Sequence, residues 1–392
     1  MPPVLIDISR LLDRKLLGRN PTGIDRVGLA YLHHYRTTAR AVLCRGSRAF
    51  SLSRQDSERC FDLLLGERPG GAAAILRSWA GAMARGWWHN GIDGNLLFNT
   101  GHTGLEQPRY ADSLRARGAG LVSVVHDLIP ITHPEYCRPG RRERHIQRMR
   151  NIARFSSGVV VNSQHTMQTL EAFCRESGLK PPPTVVAPLG TNLPALVPDR
   201  TPVSEPYFVA LGNIEPRKNH WLLLQLWRRL VDQRGSAAPR LVVIGQRAWE
   251  CENVVDLLER CEPLRGFVVE HASCGDEELV NTLRHARALL YPSFVEGFGL
   301  PIAEALSLGV PVIASDLSVF REFAGDVPEY ADPLDGRRWL ELIEDYARPD
   351  SARRGAQIER MPAFVAPTWA QHFERVDAFI SELCGPLRSL NS

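Results

Sequence analysis

The feature that most constrains the fold of this chain is an alternation of short apolar runs with helical stretches in its second half. Continuous apolar runs rich in Val, Ile and Leu are typical of strands buried on both faces, and strands that alternate with helices form parallel sheets. The pattern therefore predicts a doubly wound α/β domain. The runs are YFVALG (207–212), RLVVIG (240–245), GFVVE (266–270), ALLYPS (288–293) and PVIAS (311–315).

The first half carries a similar but looser pattern. VLIDI (4–8), LVSVVHDLI (121–129) and VVVNS (159–163) are runs of the buried-strand type, and amphipathic helical stretches lie between them. A second doubly wound domain is therefore predicted. Ligands of such sheets bind beyond the carboxyl ends of the strands, so the predicted site is a cleft between the two domains.

Proline spacing suggests where the two domains meet. Residues 194–206 contain four prolines, which are incompatible with a helix or a central strand, so we expect a linker there. The predicted N-terminal domain is then 1–193 and the predicted C-terminal domain is 207–367. Residues 368–392 contain apolar side chains at helical spacing, which predicts an amphipathic packing helix followed by a tail.

Charge is distributed unevenly between the halves. Residues 1–200 hold 27 of the 47 basic side chains and 16 of the 44 acidic ones, a balance that would suit an anionic partner. Only Lys15, Lys180 and Lys218 are lysines, and such a bias is typical of a GC-rich genome. We therefore expect no nucleic-acid partner.

Cysteine and histidine spacing gives no sign of a metal or disulfide framework. The eight cysteines include no C-x-x-C pair, and the twelve histidines include no H-E-x-x-H motif, so no metal cofactor is expected. The N-terminal MPPVLIDISR lacks the basic and apolar regions of a secretory signal, and no apolar run approaches about 20 residues. We expect a cytoplasmic protein.

The most informative stretch is YPSFVEGFGLPIAEALSLGVPVIASD (291–316). Pro301 suits the first position of a helix and Gly309 the position after its last turn, which predicts a helix over 301–308. The loop before this helix carries Glu296 and two glycines, and Glu304 follows inside the helix. Free backbone N–H groups at a helix N-terminus that follows a glycine-containing loop favour binding of an anion.

This stretch resembles the E-x7-E signature of retaining glycosyltransferases of the GT-B fold, family four. The resemblance covers the second half and patches of the first, and it implies two Rossmann-like domains with the nucleotide-sugar donor on the C-terminal one. It implies that Glu296 contacts hydroxyl groups of the donor sugar and that Glu304 binds the ribose. The backbone of Phe298, Gly299 and Leu300 would reach the sugar and phosphates.

A second patch, LGNIEPRKNH (211–220), follows a predicted strand and leads into a predicted helix. Arg217 and Lys218 in this patch match the family's diphosphate-binding cations. Departure of a nucleoside diphosphate develops negative charge, which fixed cations stabilise where no metal is used. The resemblance thus places both residues in the catalytic machinery.

The first half supplies weaker matches. Gly23 in NPTGIDRVGLAY (20–31) resembles the family's glycine loop, which approaches the leaving phosphate. His126 ends a predicted buried strand, and the family has a histidine there that contacts the donor sugar. Asp127 would orient a loop or cap a turn, and for Ser163 we favour a helix cap over a ligand contact.

The resemblance implies a retaining, metal-independent glycosyltransferase without a cofactor, acting in bacterial polysaccharide biosynthesis. Mannose from GDP-mannose is the first expectation for the donor, and a glycan or polyprenyl-diphosphate-linked molecule for the acceptor. The alternatives are another GT-B enzyme, such as a nucleotide-sugar epimerase or a glycogen-phosphorylase-like enzyme, and a non-catalytic nucleotide-sugar-binding protein. The basic stretch 138–150 and the GWWH at 86–89 fit either peripheral association with the inner face of the cytoplasmic membrane, or an ordinary arginine-rich helix and two core tryptophans.

Overall fold

A computed structural model describes residues 4–45, 48–67, 80–81, 95–115, 119–191, 193 and 206–389. The GWWH stretch and all but the last residue of the predicted linker lie outside the described residues. The chain divides into two compact units, which are described separately. The first comprises Met1–Thr132, Pro139–Leu189 and Thr368–Ser392, and the second comprises His133–Arg138 and Gly190–Pro367.

The first unit is built on a seven-stranded sheet with the strand order β3-β2-β1-β4-β5-β6-β7. All neighbouring strands are parallel except the pair β2 and β3. The strands are β1 (Val4–Asp7), β2 (Arg40–Arg45), β3 (Arg48–Ser51), β4 (Leu96–Asn99), β5 (Gly120–Val125), β6 (Ser156–Val161) and β7 (Thr184–Val186). The helices of this unit are α1 (Ser9–Leu16), α2 (Gly23–Tyr35), α3 (Arg54–Leu65), α4 (Pro108–Arg115), α5 (Ile129–Thr132), α6 (Arg141–Phe155), α7 (Gln164–Glu176) and the C-terminal α15 (Trp369–Ser389).

The second unit is built on a six-stranded sheet, parallel throughout, with the order β10-β9-β8-β11-β12-β13. This order reverses between β8 and β11, as it does in a doubly wound nucleotide-binding sheet. The strands are β8 (Tyr207–Leu211), β9 (Arg240–Ile244), β10 (Val268–His271), β11 (Leu289–Tyr291), β12 (Val312–Ser315) and β13 (Glu329–Ala331). The helices are α8 (His220–Arg234), α9 (Glu252–Arg260), α10 (Asp276–Arg284), α11 (Leu300–Ser307), α12 (Ser318–Ala324), α13 (Gly336–Ala347) and α14 (Ala352–Arg360).

The packing of β8 shows why the apolar runs are continuous. Successive side chains of a strand point to opposite faces of the sheet. Phe208 and Ala210 pack into one buried cluster, with Trp227 of α8, while Tyr207 and Val209 pack into the cluster on the other face. Because helices cover both faces, every position of the strand must be apolar. The predicted α/β fold with parallel sheets is confirmed.

The C-terminal helix α15 packs on the first unit, against β6 and β7. Phe373 and Ile380 are buried, as their helical spacing predicts. Asp377 accepts a hydrogen bond of 2.6 Å from the hydroxyl of Tyr35 in α2. Gly158 in β6 is required for this packing, because a Cβ there would lie 2.8 Å from the Phe379 ring.

Candidate functional site

The loop after β8 and the loop after β11 meet at the carboxyl ends of these two adjacent strands. Pro216–Lys218, predicted as a loop, forms one turn of 3-10 helix, and Asn219 with φ of 55° connects it to α8. The backbone N–H of Phe294 donates a 2.8 Å hydrogen bond to the carbonyl oxygen of Arg217. This bond joins the two loops, so residues almost 80 positions apart in sequence come into contact.

A network of buried charges lies where these loops meet. The Glu296 carboxylate contacts two cations, with its Oε1 at 2.5 Å from Lys218 Nζ and its Oε2 at 2.6 Å from Arg217 Nη1. Arg217 also pairs with Glu215, at 2.7 Å. Lys218 Nζ donates a further hydrogen bond, of 2.5 Å, to the hydroxyl of Tyr291. The structure therefore brings together three predicted site residues and adds Glu215 and Tyr291.

Electrostatics keep the central pair of this network ionised. Burial opposes ionisation of Glu296, but Arg217 and Lys218 outweigh it and lower the pKa of the carboxyl to about 2. For Lys218, burial outweighs the attraction of Glu296 and lowers the pKa of the ammonium to about 8. At pH 7 Glu296 is an anion and Lys218 is a cation.

Helix α11 follows the network directly and begins at Leu300, one position before the predicted start. Its start is set by Gly299, whose φ of 110° favours glycine. A Cβ at Gly299 would also lie 2.8 Å from the Phe320 ring. Pro301 occupies the first turn, where it leaves no bond unmade, so the N-terminal N–H groups of α11 follow a glycine turn as expected.

The predicted site residues of the GFGLP stretch differ in what their side chains do. Phe298 is buried and stacks on Phe323 with ring centroids 4.8 Å apart, so its ring fills the core, and a donor contact of its backbone stays a prediction. Glu304 is buried within α11.

Beside Lys218 lies a small cavity, lined by both apolar and polar side chains, that sequence reasoning missed. Its volume is about 10 Å³, and its lining includes Lys218, His220, Tyr291 and Ser293. A volume of this size corresponds to about one water molecule. Burial, together with the neighbouring Lys218, lowers the pKa of His220 to about 3, so this imidazole is neutral at pH 7.

The predicted glycine loop of the first unit is anchored by a second buried carboxylate. Helix α2 begins at Gly23, which is exposed. Asp25 accepts hydrogen bonds from the backbone N–H of Thr22, at 2.7 Å, and from its hydroxyl, at 2.6 Å. The same carboxylate pairs with Arg10 and Arg14, each at 2.7 Å. These contacts fix the start of α2. The sequence signal for this cluster was the spacing of the two arginines by four positions, which puts them on one face of α1.

His126 lies buried at the carboxyl end of β5, as predicted. Its Nε2 donates a hydrogen bond of 2.7 Å to the Thr100 carbonyl oxygen, because a carbonyl can only accept. Burial lowers the pKa of His126, although the bond to Thr100 opposes this shift. The imidazole is therefore neutral at pH 7, and its Nε2 proton is already engaged.

Asp127 and Ser163 have the capping roles that were considered for them. Asp127 accepts a 3.0 Å hydrogen bond from the backbone N–H of Ile129 and caps that turn. Ser163 accepts a bond of 3.0 Å from the Thr166 N–H and caps α7, as favoured.

The predicted site residues thus fall into two groups. Gly23 and His126 belong to the first unit, and the others belong to the second. Among the described residues, no group of three or more His, Cys, Asp or Glu side chains could hold a metal ion. Within the same part of the chain, no helix is both long enough and apolar enough to cross a bilayer.

Residues 198–327 match the family described as glycosyl transferases group 1. The match covers 130 of the 392 residues. The chain is 28% identical over 277 residues to the serotype-specific mannosyltransferase WbdA of Escherichia coli, covering 64% of this chain and 34% of WbdA. It is 32% identical over 222 residues to O-antigen chain mannosyltransferase B of Escherichia coli, covering 55% of this chain and 58% of that relative. The chain spans about a third of the length of its WbdA relatives.

Solved structures of low sequence identity share the fold of this chain. HepE of Anabaena in complex with UDP and glucose superposes with a TM-score of 0.64 at 16% identity, over 99% of this chain and 100% of HepE. The likeness confirms the predicted GT-B fold, in which two such α/β domains occur.

Proposed function

We propose that the chain is a retaining, metal-independent glycosyltransferase that transfers mannose from GDP-mannose in bacterial surface-polysaccharide biosynthesis. The observation that carries the proposal is the pair of cations, Arg217 and Lys218, held on Glu296 beside the N-terminus of α11. The relatives named as mannosyltransferases support mannose as the sugar. The complex of HepE with UDP and glucose supports a nucleotide-sugar donor for this fold.

The network suits a diphosphate because its cations are already desolvated and positioned. A diphosphate bound at the N–H groups of α11 would attract Lys218 and Arg217 away from Glu296. The freed Glu296 carboxylate could then accept hydrogen bonds from hydroxyl groups of the sugar. Glu304 in the same helix is assigned to the ribose, as the resemblance implies.

The proposed step has front-face geometry. The bond from the sugar C1 to the diphosphate oxygen breaks, and the acceptor oxygen forms its bond to C1 on the same face. The acceptor proton passes to an oxygen of the leaving diphosphate, whose growing charge Arg217 and Lys218 stabilise. We assign a phosphate contact to Gly23 and a sugar contact to the neutral His126.

The acceptor is proposed to be a glycan or a polyprenyl-diphosphate-linked molecule at the inner face of the cytoplasmic membrane. Helix α6 supports membrane association through four exposed arginines, for which the described residues provide no ion-pair partner. They are Arg141, Arg142, Arg144 and Arg150. Anionic lipids attract such a cluster by about 1 kcal/mol for each basic side chain near the surface. Sedimentation with phosphatidylglycerol vesicles but not with phosphatidylcholine vesicles would support this part.

The decisive experiment compares thermal unfolding without metal in the presence of GDP, UDP, dTDP, ADP and CMP. A nucleotide at 100 times its dissociation constant stabilises the native state by about 2.7 kcal/mol. A response to GDP alone, followed by transfer from GDP-mannose in EDTA with an α-linked product, would support the donor, the retention of configuration and the independence of metal. A response to UDP or dTDP would contradict the sugar. If none of the five nucleotides stabilises the folded protein, the proposed donor site is contradicted.

A further inference from the structure

A short segment from the first half of the chain packs beside the charge network. Residues His133–Arg138 belong to the second unit, although Thr132 before them and Pro139 after them belong to the first. The segment contains a 3-10 turn, Pro134–Tyr136. The Tyr136 ring lies parallel to that of Phe294, with centroids 5.3 Å apart and an angle of 3° between the ring planes.

Phe294 is directly connected to Arg217, one of the two cations of the network. Its backbone N–H donates to the carbonyl oxygen of Arg217, and the next residue, Val295, accepts a 3.3 Å hydrogen bond from Arg217 Nη1. Glu296 follows Val295. The ring that Tyr136 covers therefore belongs to the peptide segment that fixes both the backbone and the guanidinium of Arg217.

We propose that Tyr136 is a positioning residue of the donor site. By stacking on Phe294, Tyr136 holds the 293–296 loop in register with Arg217. The expected effect on donor binding rests on the proposed function, because the 293–296 loop carries Glu296. It adds a residue that neither the motif stretch nor the proposed chemistry includes.

The contact depends on the ring and not on the hydroxyl group. The Tyr136 hydroxyl makes no hydrogen bond to a described residue, whereas the ring is half-buried. Burial raises the pKa of Tyr136, and the adjacent Glu135 adds to the shift, so the phenol is neutral at pH 7. Phenylalanine at position 136 should consequently preserve the ring contact, whereas alanine should abolish it.

The test measures GDP affinity by calorimetry in Tyr136→Ala, Tyr136→Phe, Phe294→Ala and the double alanine variant. Loss of an aromatic stack should weaken GDP binding roughly two- to tenfold in Tyr136→Ala, with Tyr136→Phe unchanged. If Tyr136 acts through Phe294, the double variant should bind GDP no more weakly than Phe294→Ala alone. Additive losses would overturn the proposal.

Tyr330→Ala is the control, because Tyr330 is another half-buried tyrosine of the second unit, which stacks under Arg321 and donates a 2.9 Å hydrogen bond to the Gly325 carbonyl oxygen. A control that loses as much GDP affinity as Tyr136→Ala, at equal loss of stability, would also overturn the proposal.

Hydrogen exchange gives a readout that needs no ligand. The amide of Phe294 should exchange roughly two- to tenfold faster in Tyr136→Ala than in the wild type, while β13 is unaffected. Unchanged exchange over residues 292–298 would overturn the positioning role. If the wild-type protein does not bind GDP, the proposed donor fails, and the exchange result still decides whether Tyr136 holds the loop.

Discussion

Each unit contains a buried carboxylate that is shared by two cations, and the two arrangements differ in where the partners come from. Asp25 pairs with Arg10 and Arg14 from the preceding helix, all within 15 positions. Glu296 pairs with Arg217 and Lys218, which lie 79 and 78 positions earlier on the loop after another strand.

The difference in partners implies a difference in role. Asp25 also accepts two hydrogen bonds from Thr22, so its removal would leave the start of α2 unsupported as well as two arginines unpaired. Glu296 contacts the side chains of Arg217 and Lys218, and an anionic ligand could take its place on both. The local cluster stabilises a helix start, whereas we propose that the long-range cluster exchanges Glu296 for an anion of the donor.

The largest expected effect is on activity, from Lys218→Met. Methionine keeps the apolar stem but removes the charge, and loss of one group that stabilises a developing anion lowers turnover about 100- to 1,000-fold. The free energy of unfolding should change by less than about 1 kcal/mol, because Glu296 keeps Arg217 and the burial of a cation is no longer required. Steady-state kinetics and urea denaturation measure the two quantities.

Lys180→Met is the control for this prediction, because Lys180 is an exposed lysine in the first unit. It should leave both kcat/KM and stability unchanged. Equal losses of activity and stability in Lys218→Met would mean that the long-range cluster is as structural as the local one.

Asp25→Ala should have the opposite profile. Breaking a buried ion pair by removing one partner costs about 3 kcal/mol, and here two guanidiniums and the Thr22 N–H lose their acceptor. The midpoint of urea denaturation should fall accordingly. The control Asp62→Ala, which removes a partly exposed pair with Arg36, should cost less than about 1 kcal/mol. A stable but inactive Asp25→Ala variant would contradict this prediction, because it would show that the cluster of Asp25, Arg10 and Arg14 acts in catalysis or donor binding and not in stability.

The same difference in sequence separation explains which parts of the fold and of the candidate site could be predicted from the amino-acid sequence. The continuous apolar runs determine that strands are buried on both faces, and the loops after β8 and β11 follow from them. That Arg217, Lys218 and Glu296 touch one another depends on β8 lying beside β11, which strand order alone decides. Tyr291 ends an apolar run and looks like an ordinary strand residue.

The smallest effect in this comparison is a pH dependence that only the long-range cluster should show. Burial lowers the pKa of Lys218 to about 8. Its neighbours do not change charge near this pH, because the pKa of Glu296 is about 2, the pKa of His220 is about 3, and burial raises the pKa of Tyr291 well above its usual range. Lys218 is therefore the member of this group that loses charge between pH 7 and 9. Because kcat/KM reports the free enzyme, it should fall about tenfold from its plateau by pH 9.

Stability should change in the opposite direction over this window. The folded pKa of Lys218 lies below that of the unfolded chain, so folding releases a proton and the cost of burying the cation declines as pH rises above about 8. Urea denaturation at pH 7 and 9, beside kcat/KM at both values, separates the two effects. Lys218→Arg carries a guanidinium that does not titrate in this range and should lose the alkaline fall even if its activity is lower. An unchanged fall in that variant would show that the alkaline limb belongs to another group.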